Sequence, residues 1–426
     1  MRILFISPSM FSIGELHNAT LLARNMENAG VKTRFLASEE RLSYIRACGL
    51  DAYGMRRQTR QTAVISEHVN TFRPHAIILA DYHNLDLEPP LIELDTLSNV
   101  RVPVATIDSL AFAPEAKRLE NAFFTDDLPG NRMLRGTTLR EVPDFMKIIR
   151  TCPLNGPVDI GSRIKAVRLY DRPIEIDSRV RQSVRSRFGC VADGHKLVVF
   201  AKAAWAHLPV KMRLMKKAQS STGIPYFYED FLRDSLSTYL SDCCEKVVVV
   251  GVSPEKCFHT GTLGQLDFVN LPFLDFVRYQ ELLMSSDLFV SDNITSASLA
   301  KAMFGHVPGI ALINSSVSSA NLHTIVSNEL SAIVHRWHDY IGAIYPFYVY
   351  PNGWISELET LMSGNPYFDV LNKVEMFDHE KAQSAFSQLL YDESAIQRNR
   401  EQQAAYMDTV FRIRGANELA EWLAER

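Results

Sequence analysis

The chain has 426 residues, of which 46% are hydrophobic and 22% charged, with a formal net charge of −4. That length exceeds one comfortable core and fits two domains, while the near-neutral balance, with no basic or acidic tail, speaks against a general nucleic-acid or membrane-surface binder. The apolar start is too short for a secretory signal before Ser7, Pro8 and Ser9, and no apolar stretch approaches a membrane span, so a cytoplasmic chain is expected.

Ile3–Ser7 reads as a buried parallel strand. After a loop, Leu16, Ala19, Leu22, Ala23 and Met26 recur at helical spacing, and Gly30 is the stop. Thr33–Ala37, Ala76–Ala80, Val102–Ile107 and Met146–Arg150 continue the strand series, which closes on the turn-rich stretch 151–157. Residues 158–196 are charged and weakly periodic, as a crossing region would be. A second series follows, with strands at Lys196–Ala201, Lys246–Val252, Phe268–Leu271, Leu288–Ser291 and Gly309–Leu312. Helices are expected at Glu229–Tyr239 and Tyr279–Met284, and Glu380–Ala424 reads as helical and amphipathic. The alternation predicts an α/β protein with two doubly wound, Rossmann-like domains facing a cleft, at 1–175 and 190–375, with closing helices at 376–426 packing back across them.

The six cysteines (Cys48, Cys152, Cys190, Cys243, Cys244 and Cys257) are scattered and form no CxxC pair. The histidines lack HExxH spacing, so no metal site is expected.

In open parallel sheets, ligands collect at the carboxyl ends of strands. After the first strand, Ser12-Ile13-Gly14-Glu15 leads into a helix. Gly14 permits close backbone approach, and the helix start offers unpaired N–H groups that favour an acid there. Taken alone, Glu15 reads as a favourable first-turn residue more readily than as a base, and His17 as a structural histidine. Asp81, Tyr82 and His83 end one strand and Asp108 ends the next; a strand-end Asp equally caps a turn. In the second half, Ile294-Thr295-Ser296-Ala297-Ser298 open a helix after a strand. Their N–H groups and hydroxyls suit a diphosphate without a metal, although ordinary helix capping uses the same residues. Lys202, with Trp205 and His207 nearby, is placed to meet phosphate oxygens. Lys211, Arg213, Lys216 and Lys217 read as a solvated helix face. Tyr345–Trp354 suits either a sugar pocket or a packed loop.

Two segments resemble GT-B glycosyltransferases. Gly14, Glu15, Asn18, Ala23, Met26, Gly30 and Val31 fall at the spacings of that family's first helix. Gly14 sits on the family glycine and Glu15 where the family carries its catalytic histidine. Ser12–Glu15 looks like the acidic variant of the lipopolysaccharide heptosyltransferases. Leu271–Ile313 is similar to the donor-binding segment, with Asp287, Ser291, Gly305 and Pro308 in register, and Val374–Trp422 resembles the closing helices. The chain departs from the pattern at Ala300, where the family often has a glutamate, and at Asp292-Asn293-Ile294, where one branch has His-Gly-Gly.

The resemblance implies an inverting, metal-independent glycosyltransferase without a cofactor, of the kind serving bacterial natural-product or glycoconjugate biosynthesis. A nucleotide-diphosphate sugar would be the donor and a small molecule, peptide or lipid-linked compound the acceptor; a homodimer is compatible. Glu15 would be the base ahead of His17, and Asp108 a second catalytic carboxylate whose proximity raises one of the two pKa values. Lys202, Phe273, Asp292, Asn293, Thr295, Ser296 and Ser298 would hold the donor. Gly14, His17, Asp81 and His83 would hold the acceptor. A sugar-nucleotide 2-epimerase of the same fold and a non-catalytic GT-B partner protein are the alternatives.

Overall fold

Strands of three to seven residues, aliphatic in the interior positions, pair into two seven-stranded sheets. They are seen in a computed structural model that describes residues 1–7, 13–56, 61–87, 92–119, 137–202, 227–243, 245–253, 256–272, 274–313, 357–376 and 378–425. The first half contains β1 (Arg2–Ser7), β2 (Lys32–Ser38), β3 (Ala52–Met55), β4 (Ala76–Leu79), β5 (Val104–Ile107), β6 (Lys117–Leu119), β7 (Thr137–Leu139), β8 (Met146–Cys152) and β9 (Ile164–Arg168). Its sheet runs β3-β2-β1-β4-β5-β8-β9, parallel throughout, and β6 and β7 form a separate antiparallel pair.

The second half contains β10 (Lys196–Ala201), β11 (Val247–Val252), β12 (Gly261–Leu263), β13 (Leu266–Leu271), β14 (Leu288–Ser291), β15 (Gly309–Ile313) and β16 (Asn372–Glu375). Its order is β12-β13-β11-β10-β14-β15-β16, parallel except for the edge strand β12. This is the two-sheet α/β architecture expected from the alternation.

Side chains of a strand alternate between the two faces of its sheet, and β1 shows the result. Leu4 and Ile6 join Ile65, Ile77 and Leu97 under one face. Ile3 and Phe5 join Leu16, Leu22 and Met26 of the helix Gly14–Asn28 on the other, in a cluster that continues into the second half. The junction includes Tyr170 stacked on Phe304, ring centroids 4.5 Å apart. Each fully buried aliphatic or aromatic side chain in such a core contributes about 1.5–3 kcal/mol.

The region 158–196 differs from its expected role as a mere crossing. It supplies β9, which completes the first sheet, and the helix Ser178–Arg187, capped by Asp177 and linked to the second half through Arg185 and Asp287 at 2.7 Å. Only the stretch between these elements passes from one half to the other. The last helices return: Tyr406 Oη donates to Pro153 O (2.8 Å), and the helix Ala416–Ala424 packs on the Gly14 helix and β9. The stretch expected to be helical forms three helices, separated at Asp392 and at 412–415.

Val247–Val252 is buried along its whole length, as a strand covered on both faces must be. A Cβ on Gly251 would lie 2.7 Å from Cys257 Cβ and 2.8 Å from Phe258 Cζ. Gly251→Ala is therefore expected to destabilise the second half by about 1–3 kcal/mol through overpacking, read as a lowered urea midpoint.

Candidate active site between the two sheets

In a doubly wound sheet the crevice opens where the strand order reverses. The reversal falls between β1 and β4 in the first sheet and between β10 and β14 in the second. The loops after these strands meet. A cavity of about 240 Å³ is lined by Gly14, Glu15, His17 and Asn18 from the first half and by Lys202, Asn293, Thr295, Ser296 and Ser298 from the second. Ser109 and Leu110 after β5, Thr151 near the end of β8, Leu154 after it and Tyr170 after β9 close its wall. Glu15 and Ser296, which the sequence places 281 positions apart, thus face one crevice.

The second-half wall is built by local hydrogen bonds. Ser291 Oγ donates to Ala201 O (3.1 Å) and accepts from Asn293 N (3.2 Å), tying the end of β14 to the end of β10. Asn293 Oδ1 accepts from both Thr295 N and Thr295 Oγ1, at 2.9 and 2.8 Å. Ser296 caps the helix Ala297–Phe304, its Oγ accepting from Ser298 N and Leu299 N. The capping expected of this serine is therefore real, and it leaves Ala297 N–H without an acceptor among the described residues. That N–H, at the positive end of a helix lining the cavity, is suited to an anionic oxygen. Ser298 Oγ accepts from Tyr279 Oη (2.7 Å). Lys202, its side chain 2% exposed, donates to Lys256 O at 2.8 Å and lies 3.7 Å from Glu229 Oε1, so its cation is held at the cavity wall by carbonyl and carboxylate oxygens.

Several residues expected in the site stand behind it. Asp108 does not reach the cavity. Its Oδ1 accepts from Phe112 N (2.9 Å), and its Oδ2 accepts from Ala113 N (3.3 Å) and from Arg150 Nε (3.2 Å). A strand-end aspartate with two backbone donors and an arginine is a turn lock, and the turn it locks carries Ser109 and Leu110 to the cavity. Asp81 is also buried, accepting from His83 N (2.9 Å) and Ser109 N (3.3 Å). Burial first, then the charges of Glu15 and Asp108, hold its carboxyl well above the usual carboxylate range. An acid whose pKa is raised here is Asp81, with Glu15 and Asp108 as its charged neighbours. His83 is buried against Phe112, and burial lowers its pKa. Asp292 is fully buried and lines no part of the cavity.

Phe273, Trp205, His207, Lys211, Arg213, Lys216, Lys217, Cys244 and Tyr345–Trp354 lie outside the described residues. The described cysteines form no disulfide, and no group of His, Cys, Asp and Glu among the described residues has the form of a metal site. No helix among them is long and apolar enough to cross a membrane.

The cavity also contains side chains that sequence reasoning missed: Tyr44, Tyr170, Phe276 and Tyr279. Tyr44 sits on a six-residue helix, Leu42–Ala47, too short to announce itself by periodicity. Phe276 and Tyr279 open the helix Phe276–Ser285, whose apolar spacing is equally that of a core helix.

The sequence matches the family of unknown function DUF6365 over residues 22–426. The chain belongs to that family. No curated protein matches this DUF6365 chain by sequence. Solved structures match its fold. The spinosyn forosaminyltransferase SpnP is 12% identical, with 100% of both chains covered and a TM-score of 0.54. The spinosyn rhamnosyltransferase SpnG complexed with thymidine diphosphate is 13% identical, with 100% of both chains covered and a TM-score of 0.51. The glycosyltransferase VinC in complex with dTDP is 12% identical, covering 99% of this chain and 98% of the other, with a TM-score of 0.50. This DUF6365 chain has the GT-B fold.

Proposed function

We propose that this chain transfers a sugar from a nucleotide-diphosphate sugar to an acceptor hydroxyl, with inversion and without a metal. The observation that supports the reading best is the shared cavity, which brings together a carboxylate from the first half and a helix-start N–H from the second that has no acceptor among the described residues. In the step, the acceptor oxygen forms a bond to the anomeric carbon as the bond from that carbon to the diphosphate oxygen breaks. The electron pair leaves with the diphosphate, and Glu15 takes the acceptor's proton. Ala297 N–H, the helix start behind it and Lys202 meet the charge growing on the leaving group. A cavity of about 240 Å³ lies just below the range of roughly 300–1,000 Å³ for small-molecule sites. The aromatic wall of Tyr44, Tyr170 and Phe276 suits a ring-bearing small-molecule acceptor.

The test is a thermal-shift screen of UDP-, TDP-, GDP- and ADP-sugars. The thymidine compounds come first, because SpnG and VinC are described with thymidine diphosphate bound. A cognate donor at about one hundred times its Kd is expected to stabilise the protein by roughly 2.7 kcal/mol. If none raises the Tm, the chain is a non-catalytic partner protein. Sugar isomerisation of a bound donor in the absence of any acceptor would make it an epimerase.

A further inference from the structure

His17 faces the cavity from the second turn of the Gly14 helix and has an uncommon electrostatic setting. Its Nδ1 lies 2.6 Å from Tyr44 Oη. Its ring stacks on Phe276 at a centroid distance of 6.1 Å. The same phenyl ring carries two cations, Lys301 Nζ at 3.8 Å and Arg24 Cζ at 4.5 Å from its centroid. Lys301 is 1% exposed, and its ammonium has no hydrogen-bond partner among the described residues. No carboxylate among the described residues pairs with either cation.

The other ionisable groups around this knot are Tyr44 and Cys48 from the Leu42 helix, with Tyr170 and Tyr279 beyond them. None brings a negative charge, since burial raises the pKa of each. An imidazolium at position 17 would add a third positive charge beside Lys301 and Arg24, although the Glu15 carboxylate lines the same cavity. Burial, Lys301 and Arg24 together pull His17 down to about 3, and Lys301 itself is pulled down to about 7 by burial and Arg24. A ring nitrogen that poor in proton affinity is a weak base. Nε2 makes no hydrogen bond to the described residues, and the residue lines the cavity.

We infer that His17 is a fixed neutral donor to the bound acceptor: Tyr44 O–H donates to Nδ1, Nε2 keeps its proton, and Nε2–H donates to an acceptor oxygen while Glu15 takes the acceptor's proton. Tyr44 is then a positioning residue, acting through His17. The division of labour rests on the glycosyl-transfer reading, whereas the protonation state of His17 does not.

The test uses the full chain labelled with 15N-histidine and observed by NMR, with the His17 signals assigned by their loss in His17→Gln. The expected result is an Nε2–H tautomer that does not titrate between about pH 5 and pH 8, the window in which an ordinary histidine changes charge. Titration within that window, or an Nδ1–H tautomer, overturns the inference. Lys301→Met is expected to move His17 toward ordinary titration; an unchanged His17 there removes the lysine from the account. Tyr44→Phe is expected to release the tautomer and to lower kcat/KM about tenfold, the loss of one neutral hydrogen bond. Parental kinetics together with a parental tautomer in Tyr44→Phe also overturn it. The resonance measurements need no turnover, so their failure is distinguishable from failure of the proposed reaction.

Discussion

Glu15→Gln is expected to lower turnover by about 10²–10⁴-fold while binding the nucleotide donor nearly as the parent chain does. The substitution keeps the volume and one carbonyl acceptor, so the cavity wall keeps its shape. It removes the charge that favours this helix start, worth about 0.3–1 kcal/mol, which a chain of this size tolerates. What disappears is a group able to accept a proton beside the acceptor. Single-turnover rates with a cognate acceptor, set beside calorimetric titration of the nucleoside diphosphate, separate the two effects. Turnover at the parental rate would discard Glu15 as the base. The variant also relieves Asp81 of one like charge, so the Asp81 carboxyl should move back toward its ordinary range.

Asp108→Ala is expected to cost about 3–5 kcal/mol of stability in the first half, read by urea unfolding. The residue is 1% exposed and holds Phe112 N, Ala113 N and Arg150 at once. Removing the carboxylate strands a guanidinium only 13% exposed and two buried N–H groups. Asp108→Asn keeps one acceptor oxygen and should fall between parent and alanine variant. A near-parental alanine variant would show that Arg150, which also donates to Ala113 O at 2.8 Å, holds the turn alone. A stability loss larger than the loss of turnover in the surviving folded fraction would separate this role from one in the chemistry.

The interior strands were legible because a strand covered on both faces must be apolar along its middle, as the runs ILFI of β1, AIIL of β4, VVVVGV of β11 and LFV of β14 are. The edges were not. β3, β9 and β16 alternate apolar residues with glycine, lysine, arginine or asparagine (AYGM, IKAVR, NKVE), because one face of an edge meets solvent or a single helix. The same limit explains the site. The carboxyl-end rule found the Gly14 turn, Lys202 and the Thr295–Ser298 loop. It does not say whether a strand-end acid points into the crevice or folds back on its own turn, and Asp108 and Asp81 fold back. Tyr44 reaches the site from a short helix through its contact with His17, 27 positions earlier, a long-range fact with no local signature.

The two passages of the chain between the halves lie side by side. The first leaves β9 at Arg168, and the second runs from Phe411 into Gly415; Arg168 N donates to Arg414 O at 3.0 Å. Leu169 and Tyr170, just past the first passage, form the back of the cavity. A lone thread would leave the halves joined at one point, whereas two threads stitched together fix the wall they share.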